Sequence, residues 1–163
     1  MPTSALRTHV LPAPVDGVWD VLADFGDISA WAPTLDHSCT LDPRHGPGGS
    51  RRIQVGRNTL VETVVGWDPP TRLSYRIDGL PPRLGTIVNE WRLEPDGQGT
   101  RATLETTVDT GPRPPQRLIE RLVMRRMTRV SVELLSGLAT FLSSDKRGLS
   151  SDKRGLSSER SRR

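Results

Sequence analysis

Cysteine is nearly absent: Cys39 is the only one, so no disulfide can form within the chain and no multi-cysteine metal site can be assembled. Nothing approaches the ~18 consecutive apolar residues of a membrane span. The opening stretch, MPTSALRTHVLPAP, lacks the charged start, apolar core and small-residue cleavage site of a secretory leader. A cytoplasmic protein without a transmembrane segment is the expectation. Cofactor signals are missing too. GPGGS at 46–50 has neither the strand-to-helix setting nor the Lys-Ser/Thr ending of a phosphate loop, and no dinucleotide fingerprint occurs. His9, His37 and His45 show no metal-ligand spacing. No cofactor and no metal are expected.

Lysine is absent before position 146, and that absence divides the charge. Residues 1–142 hold 16 Arg against 10 Asp and 6 Glu, which cancel; residues 143–163 hold 7 Lys plus Arg against 3 acids, which leaves the +4 of the whole chain. A neutral body argues against nucleic acid as a partner of the domain. The basic segment reads SSDKRGL at 143–149, repeats it at 150–156, and ends in SSERSRR. One leucine in seven residues buries too little to offset ordering, so a disordered basic repeat tail over 143–163 is expected beside one domain over 1–142. A polybasic tether for RNA or an anionic surface is the alternative use of that tail.

What the body does contain is ordered alternation. Residues 6–11 read as a strand that Pro12 and Pro14 stop; Val15, Val18, Trp19 and Leu22 then recur at helical spacing, and a second short helix is expected over 27–31 before Pro33. Between 34 and 109, short runs are separated by turn chemistry such as DPP at 68–70 and PDGQG at 95–99, the signature of an antiparallel meander. Leu73, Tyr75 and Ile77, then Ile87, Asn89, Trp91 and Leu93, then Ala102, Leu104, Thr106 and Val108 should share its covered face. After GPRPP at 111–115 comes the longest periodic segment. Ile119, Leu122, Val123, Met127, Val130, Leu134, Leu138 and Phe141 form a stripe that predicts a helix of ~25 residues ending near Leu142. Its other face is arginine at four-residue steps, Arg117, Arg121, Arg125 and Arg129, with Glu133 placed to pair with Arg129. A solvated face is the plain reading of those arginines, and peripheral contact with phosphate or membrane is the sharper one.

Four local motifs in this order, VWDVLADFGDISAWAP at 18–33, GPGGSRRI at 46–53, VETVVGWDPPTRLSYRI at 61–77 and EWRLEPDGQGTRATLE at 90–105, resemble the START-like SRPBCC superfamily, and within it the bacterial polyketide cyclase/dehydrase and lipid-transport branch. The resemblance covers residues 1 to about 142. It implies an α+β helix-grip fold, in which a curved antiparallel sheet wraps a long C-terminal helix and two short helices follow the first strand. It also implies an internal cavity for a hydrophobic small molecule. Trp31, Tyr75, Trp91, Met124 and Met127 are the candidate lining residues, since Trp and Tyr offer broad faces with one polar atom and Met adapts to irregular ligands. Ordinary core packing is the competing role for each.

Glu62 is the candidate catalytic group, because an inward carboxylate among apolar neighbours suits acid/base work on a ketone. Its direction is open: Leu60, Glu62 and Val64 make one phase of the strand, and Val61, Thr63, Val65 and Trp67 make an equally apolar other one. Glu90, out of phase with Trp91, is expected on the open face beside Arg76 or Arg101. His37 and Cys39 lie two apart but have no third orienting group. Three functions remain: a binding or transport protein for a polyketide, lipid or isoprenoid; a polyketide cyclase/dehydratase using Glu62; or an arginine- or tail-mediated RNA or membrane module. Oligomeric state is left open.

Overall fold

The computed structural model describes residues 2–110 and 116–159; side chains are described for neither Arg83 nor residues 116–120 and 145–159. GPRPP at 111–115, residues 160–163 and the side chains of Ile119 and Arg117 therefore lie outside the described residues. Strand β1 (Thr3–Leu11) leads through Pro14 into helix α1 (Val15–Ala23) and a 3-10 helix (Phe25–Ala30). Six strands follow, β2 (His37–Asp42), β3 (Ser50–Val55), β4 (Asn58–Asp68), β5 (Arg72–Asp78), β6 (Thr86–Asp96) and β7 (Gly99–Asp109), with a 3-10 turn at Pro82–Leu84, and helix α2 (Gln116–Glu159) closes the order. The expected α+β helix-grip architecture is present: one antiparallel seven-stranded sheet in the order β1-β7-β6-β5-β4-β3-β2, with α2 against β1 and β7 and the 3-10 helix against β2 and β3.

Alternation explains why the sheet has one wet and one dry face. Each of the three predicted inward sets on β5, β6 and β7 is buried, from Leu73 through Val108. Register then aligns them in rows across the sheet. Trp67, Leu73, Trp91 and Leu104 form one row; Val64, Tyr75, Asn89 and Thr106 form the next; Glu62, Ile77, Ile87 and Val108 form the third. The register slips between Val64 and Gly66, which marks a bulge in β4. One extra residue there moves Val65 outward and lets both phases of the strand face inward in turn, Glu62 and Val64 before it and Trp67 after it.

Helix α2 differs from expectation in two respects. Its buried residues are Ser131, Leu134, Leu135, Leu138 and Leu142, whereas Leu122 and Phe141, placed on the apolar stripe, are exposed. At 100° per residue, Leu122 falls on the side opposite that buried set. The helix also continues past Leu142 through the repeat to Glu159, beyond the ~25 residues that the apolar stripe predicts. The segment contains no proline; Leu, Lys and Arg favour helix, and Gly148 and Gly155 are its weakest positions, with the serines next. Nearer the core, Gly137 permits a close approach of α2 to the segment after the 3-10 helix, because a Cβ there would meet the Trp31 carbonyl at 2.4 Å.

Candidate functional site

Arg51 on β3 faces Glu62 on β4 directly across the ladder. Arg51 Nε donates to Glu62 Oε2 at 2.6 Å, and Arg51 Nη1 donates to the Phe25 carbonyl at 2.7 Å. The guanidinium lies 3.8 Å from the centre of the Phe25 ring and 4.9 Å from that of Tyr75. Both charged groups are buried. Pairing and ring stacking are what make burial of two charges tolerable, since an isolated one would cost several kcal/mol, of order 3–5, at least. Glu62 thus points inward, and its environment is a cation plus two rings rather than a purely apolar pocket. Its second oxygen, Oε1, has no partner among the described residues.

The neighbouring row supplies a chain of neutral polar groups. Thr106 Oγ1 donates to Asn89 Oδ1 at 2.7 Å, Asn89 Nδ2 reaches the Tyr75 hydroxyl at 3.5 Å, Ser131 Oγ lies 3.3 Å from Thr106 Oγ1, and Ser131 donates to the Met127 carbonyl at 2.9 Å. This polar row separates two apolar clusters. On one side is the main core, with Trp31, Leu73, Tyr75, Trp91, Leu104 and Leu138 among its members; on the other is a small cluster of Ile77, Ile87 and Val108, against which Leu60, Leu80, Val123, Met124 and Met127 are only half-buried.

The five candidate lining residues therefore separate into two groups. Trp31, Tyr75 and Trp91 are 7%, 1% and 1% exposed and pack edge to face, Trp31 on Trp91 at 6.1 Å and Phe25 on Tyr75 at 5.5 Å. Met124 and Met127 belong to the half-buried cluster. Trp31 also borders a groove of about 510 Å³ with Pro33, Leu35, Gly137 and Phe141. Another hollow, of about 210 Å³, lies behind Phe25 among Asp24, Thr40, Asp42, His45 and Trp67.

Several smaller expectations change. Glu90 is on the outer face, but its partners are Arg72 at 3.0 Å and Arg92 at 2.6 Å, the neighbours that its register provides. His37 is exposed and Cys39 half-buried, with no bond between them. The GPGGS backbone is used internally: Gly48 N–H donates to the Val64 carbonyl and Gly49 N–H to that of Gly46. Among the described residues no group of three or more potential ligands could hold a metal ion, and no helix is long and apolar enough to cross a membrane.

Burial pushes the Tyr75 phenol above its ordinary value, and the Glu62 carboxylate adds to the rise, while Arg51 and hydrogen bonds from Trp91 and Asn89 oppose it. A raised value favours the neutral phenol in the folded state. Its contribution to stability is complete below the unfolded value, about pH 10, and is lost as pH rises through the folded one. Tyr75 is the only tyrosine, so the absorbance of phenolate reports on it alone. At about pH 10–11 the folded protein should show less phenolate than the urea-unfolded chain at the same pH; equal phenolate in the two without unfolding would contradict this placement.

A long C-terminal helix gripping a curved seven-stranded antiparallel sheet defines the helix-grip class of α+β proteins. Residues 3–142 match the family described as polyketide cyclase/dehydrase and lipid transport, and the chain belongs to that family. Solved structures with the same fold include the Zhui aromatase/cyclase from Streptomyces sp. R1128, at 21% identity and TM-score 0.73 over 88% of this chain and 94% of that one. The di-domain ARO/CYC StfQ from the steffimycin biosynthetic pathway matches at 13% identity and TM-score 0.74, over 90% of this chain and 52% of its own. Ara h 8.0201 matches at 16% identity and TM-score 0.69 over 88% and 99%. A search of curated proteins found no match.

Sequence reasoning missed Arg51 and Phe25. Arg51 stands next to Arg52 in a run that looks solvent-facing, but it is in phase with the buried Ile53, and that phase was the available signal.

Proposed function

We propose that the protein binds or transports a hydrophobic small molecule carrying an oxygen, such as a polyketide, lipid or isoprenoid. The apolar part rests on Ile77, Ile87, Val108, Met124 and Met127, and the oxygen meets the polar groups beside them. The observation that carries this reading is the juxtaposition of a half-buried apolar cluster with a buried row of hydrogen-bonding side chains. Tyr75 accepts from Asn89 and, held neutral, keeps its own proton for a ligand oxygen. Family membership supports the general reading. The domain is assigned to 1–142, where the apolar stripe ends, and a cytoplasmic setting follows only from the single free cysteine.

Native mass spectrometry of the purified protein, followed by displacement of an apolar fluorescent dye with fatty alcohols, tests this. Tyr75→Phe should weaken fatty-alcohol binding about tenfold, the worth of one buried hydrogen bond, and leave the matching alkane unchanged. Equal affinity of both proteins for the alcohol removes Tyr75 from the site; failure of any apolar compound to displace the dye removes the site itself.

A second reading, polyketide cyclase/dehydratase, is favoured by the convergence of Arg51, Glu62 and Tyr75 in one buried group. There Glu62, with Oε1 still unpartnered, would move a proton while the cation and phenol hold a carbonyl oxygen. It requires turnover of a synthetic poly-β-ketone that Glu62→Gln abolishes while fatty-alcohol binding persists.

A further inference from the structure

The outward face of α2 gathers several arginines in one place. Elsewhere Arg44, Arg51, Arg72, Arg76, Arg92 and Arg101 each sit within ion-pair distance of a carboxylate, and Arg7, Arg52 and Arg57, without such a partner among the described residues, are scattered over β1, β3 and the turn before β4. Arg121, Arg125, Arg126 and Arg129 are exposed and make no ion pair among the described residues; even Glu133, one turn beyond Arg129 and the only acid between 121 and 133, is not engaged there. Arg125, Arg126 and Arg129 turn away from the buried set centred on Leu134, Leu135 and Leu138, and Arg121 lies on its flank. Two large apolar side chains share that face. Leu122 is 62% exposed and Val132 48%, which sets aliphatic surface among the guanidinium groups.

We propose that this stretch, Arg121 to Val132, docks the protein on an anionic lipid surface. Guanidinium groups interleaved with aliphatic side chains suit the headgroup boundary, where phosphate takes the charge and the acyl margin takes the leucine and valine. RNA would match the arginines but leave Leu122 and Val132 without a purpose. The face runs ~16 Å along a straight helix, a convex and linear surface that lies flat on a bilayer. Val123, Met124 and Met127 take the inward side of the same turns, toward the small apolar cluster, so the docking face stands apart from the proposed ligand seat.

Cosedimentation of the full-length protein with vesicles of phosphatidylcholine, alone or mixed with phosphatidylserine, provides the test. Binding should need phosphatidylserine and weaken with salt. Exchanging all four arginines, R121Q/R125Q/R126Q/R129Q, should lower partitioning about 100-fold or more, at roughly tenfold per two charges or better. Leu122→Glu alone should lower it about tenfold. These positions are exposed, and circular dichroism of each variant checks that the fold is intact. Undiminished binding of the fourfold variant would place the attraction in residues 143–163 and overturn the proposal. So would a wild-type protein that ignores both vesicles while binding poly-glutamate, which would assign the face to an acidic protein instead.

Discussion

Replacing Arg51 with methionine is expected to destabilise the folded chain by about 3–5 kcal/mol, read from the midpoint of urea unfolding at unchanged slope. Methionine fills much of the same volume between the Phe25 and Tyr75 rings, so lost packing explains little of this. The cost comes from Glu62, which keeps its place in the row beside Ile77 and loses the cation at 2.6 Å. The double variant Arg51→Met/Glu62→Leu should recover most of the loss, because a buried ion pair can often be exchanged for apolar groups at little net cost. An Arg51→Met protein within about 1 kcal/mol of wild type would mean that the pair is effectively solvated, contrary to the burial of both side chains.

That exchangeability has a consequence for function. A pair that could be replaced by packed aliphatic residues without harm to stability is poorly explained by stability alone. Arg51 is held by Glu62, the Phe25 carbonyl and two rings, which fixes its direction to a degree unnecessary for charge neutralisation. Glu62 Oε1 and the Tyr75 hydroxyl are the polar atoms beside it with capacity to spare. A preorganised cation, a carboxylate oxygen and a neutral phenol on adjacent rows can orient a bound oxygen without paying for reorganisation.

The architecture was legible in the sequence because strands β5, β6 and β7 announce their faces locally. Tyr75 and Ile77, Asn89 and Trp91, and Thr106 and Val108 all took the predicted side, since a period of two leaves little freedom when one face is dry. Glu62 was not legible for a specific reason. Both phases of β4 are apolar because the bulge after Val64 makes the strand use one phase and then the other, and alternation cannot reveal an inserted residue. Phe25 was hidden differently: its role depends on the 3-10 helix packing against β3, a long-range contact without local periodicity. The α2 stripe misled at its ends. Phe141 is in phase with Leu134, yet nothing in a helical wheel shows where the body stops beneath the helix, whereas Leu122 is out of phase with the buried set.

Trp91→Ala and Met127→Ala should have opposite profiles, and the contrast separates core from site. Trp91 is 1% exposed, sits in the row with Leu73 and Leu104, and carries the edge of Trp31. Its truncation should cost about 3–5 kcal/mol, the range for emptying a large buried ring site. Met127 is half-buried over Ile77, Ile87 and Val108, where a shorter side chain leaves a space that already opens outward. About 1 kcal/mol is the expected loss, since only part of its surface was removed from water. Ligand binding should respond the other way round. Met127→Ala removes apolar surface from the proposed seat, so fatty-alcohol affinity should fall about tenfold in a protein that remains folded. Trp91→Ala, assayed below its unfolding midpoint, should bind nearly as well as wild type. If Met127→Ala instead unfolds like a core variant and Trp91→Ala loses ligand while remaining stable, the seat lies on the Trp91 side of the polar row, and the two clusters exchange roles.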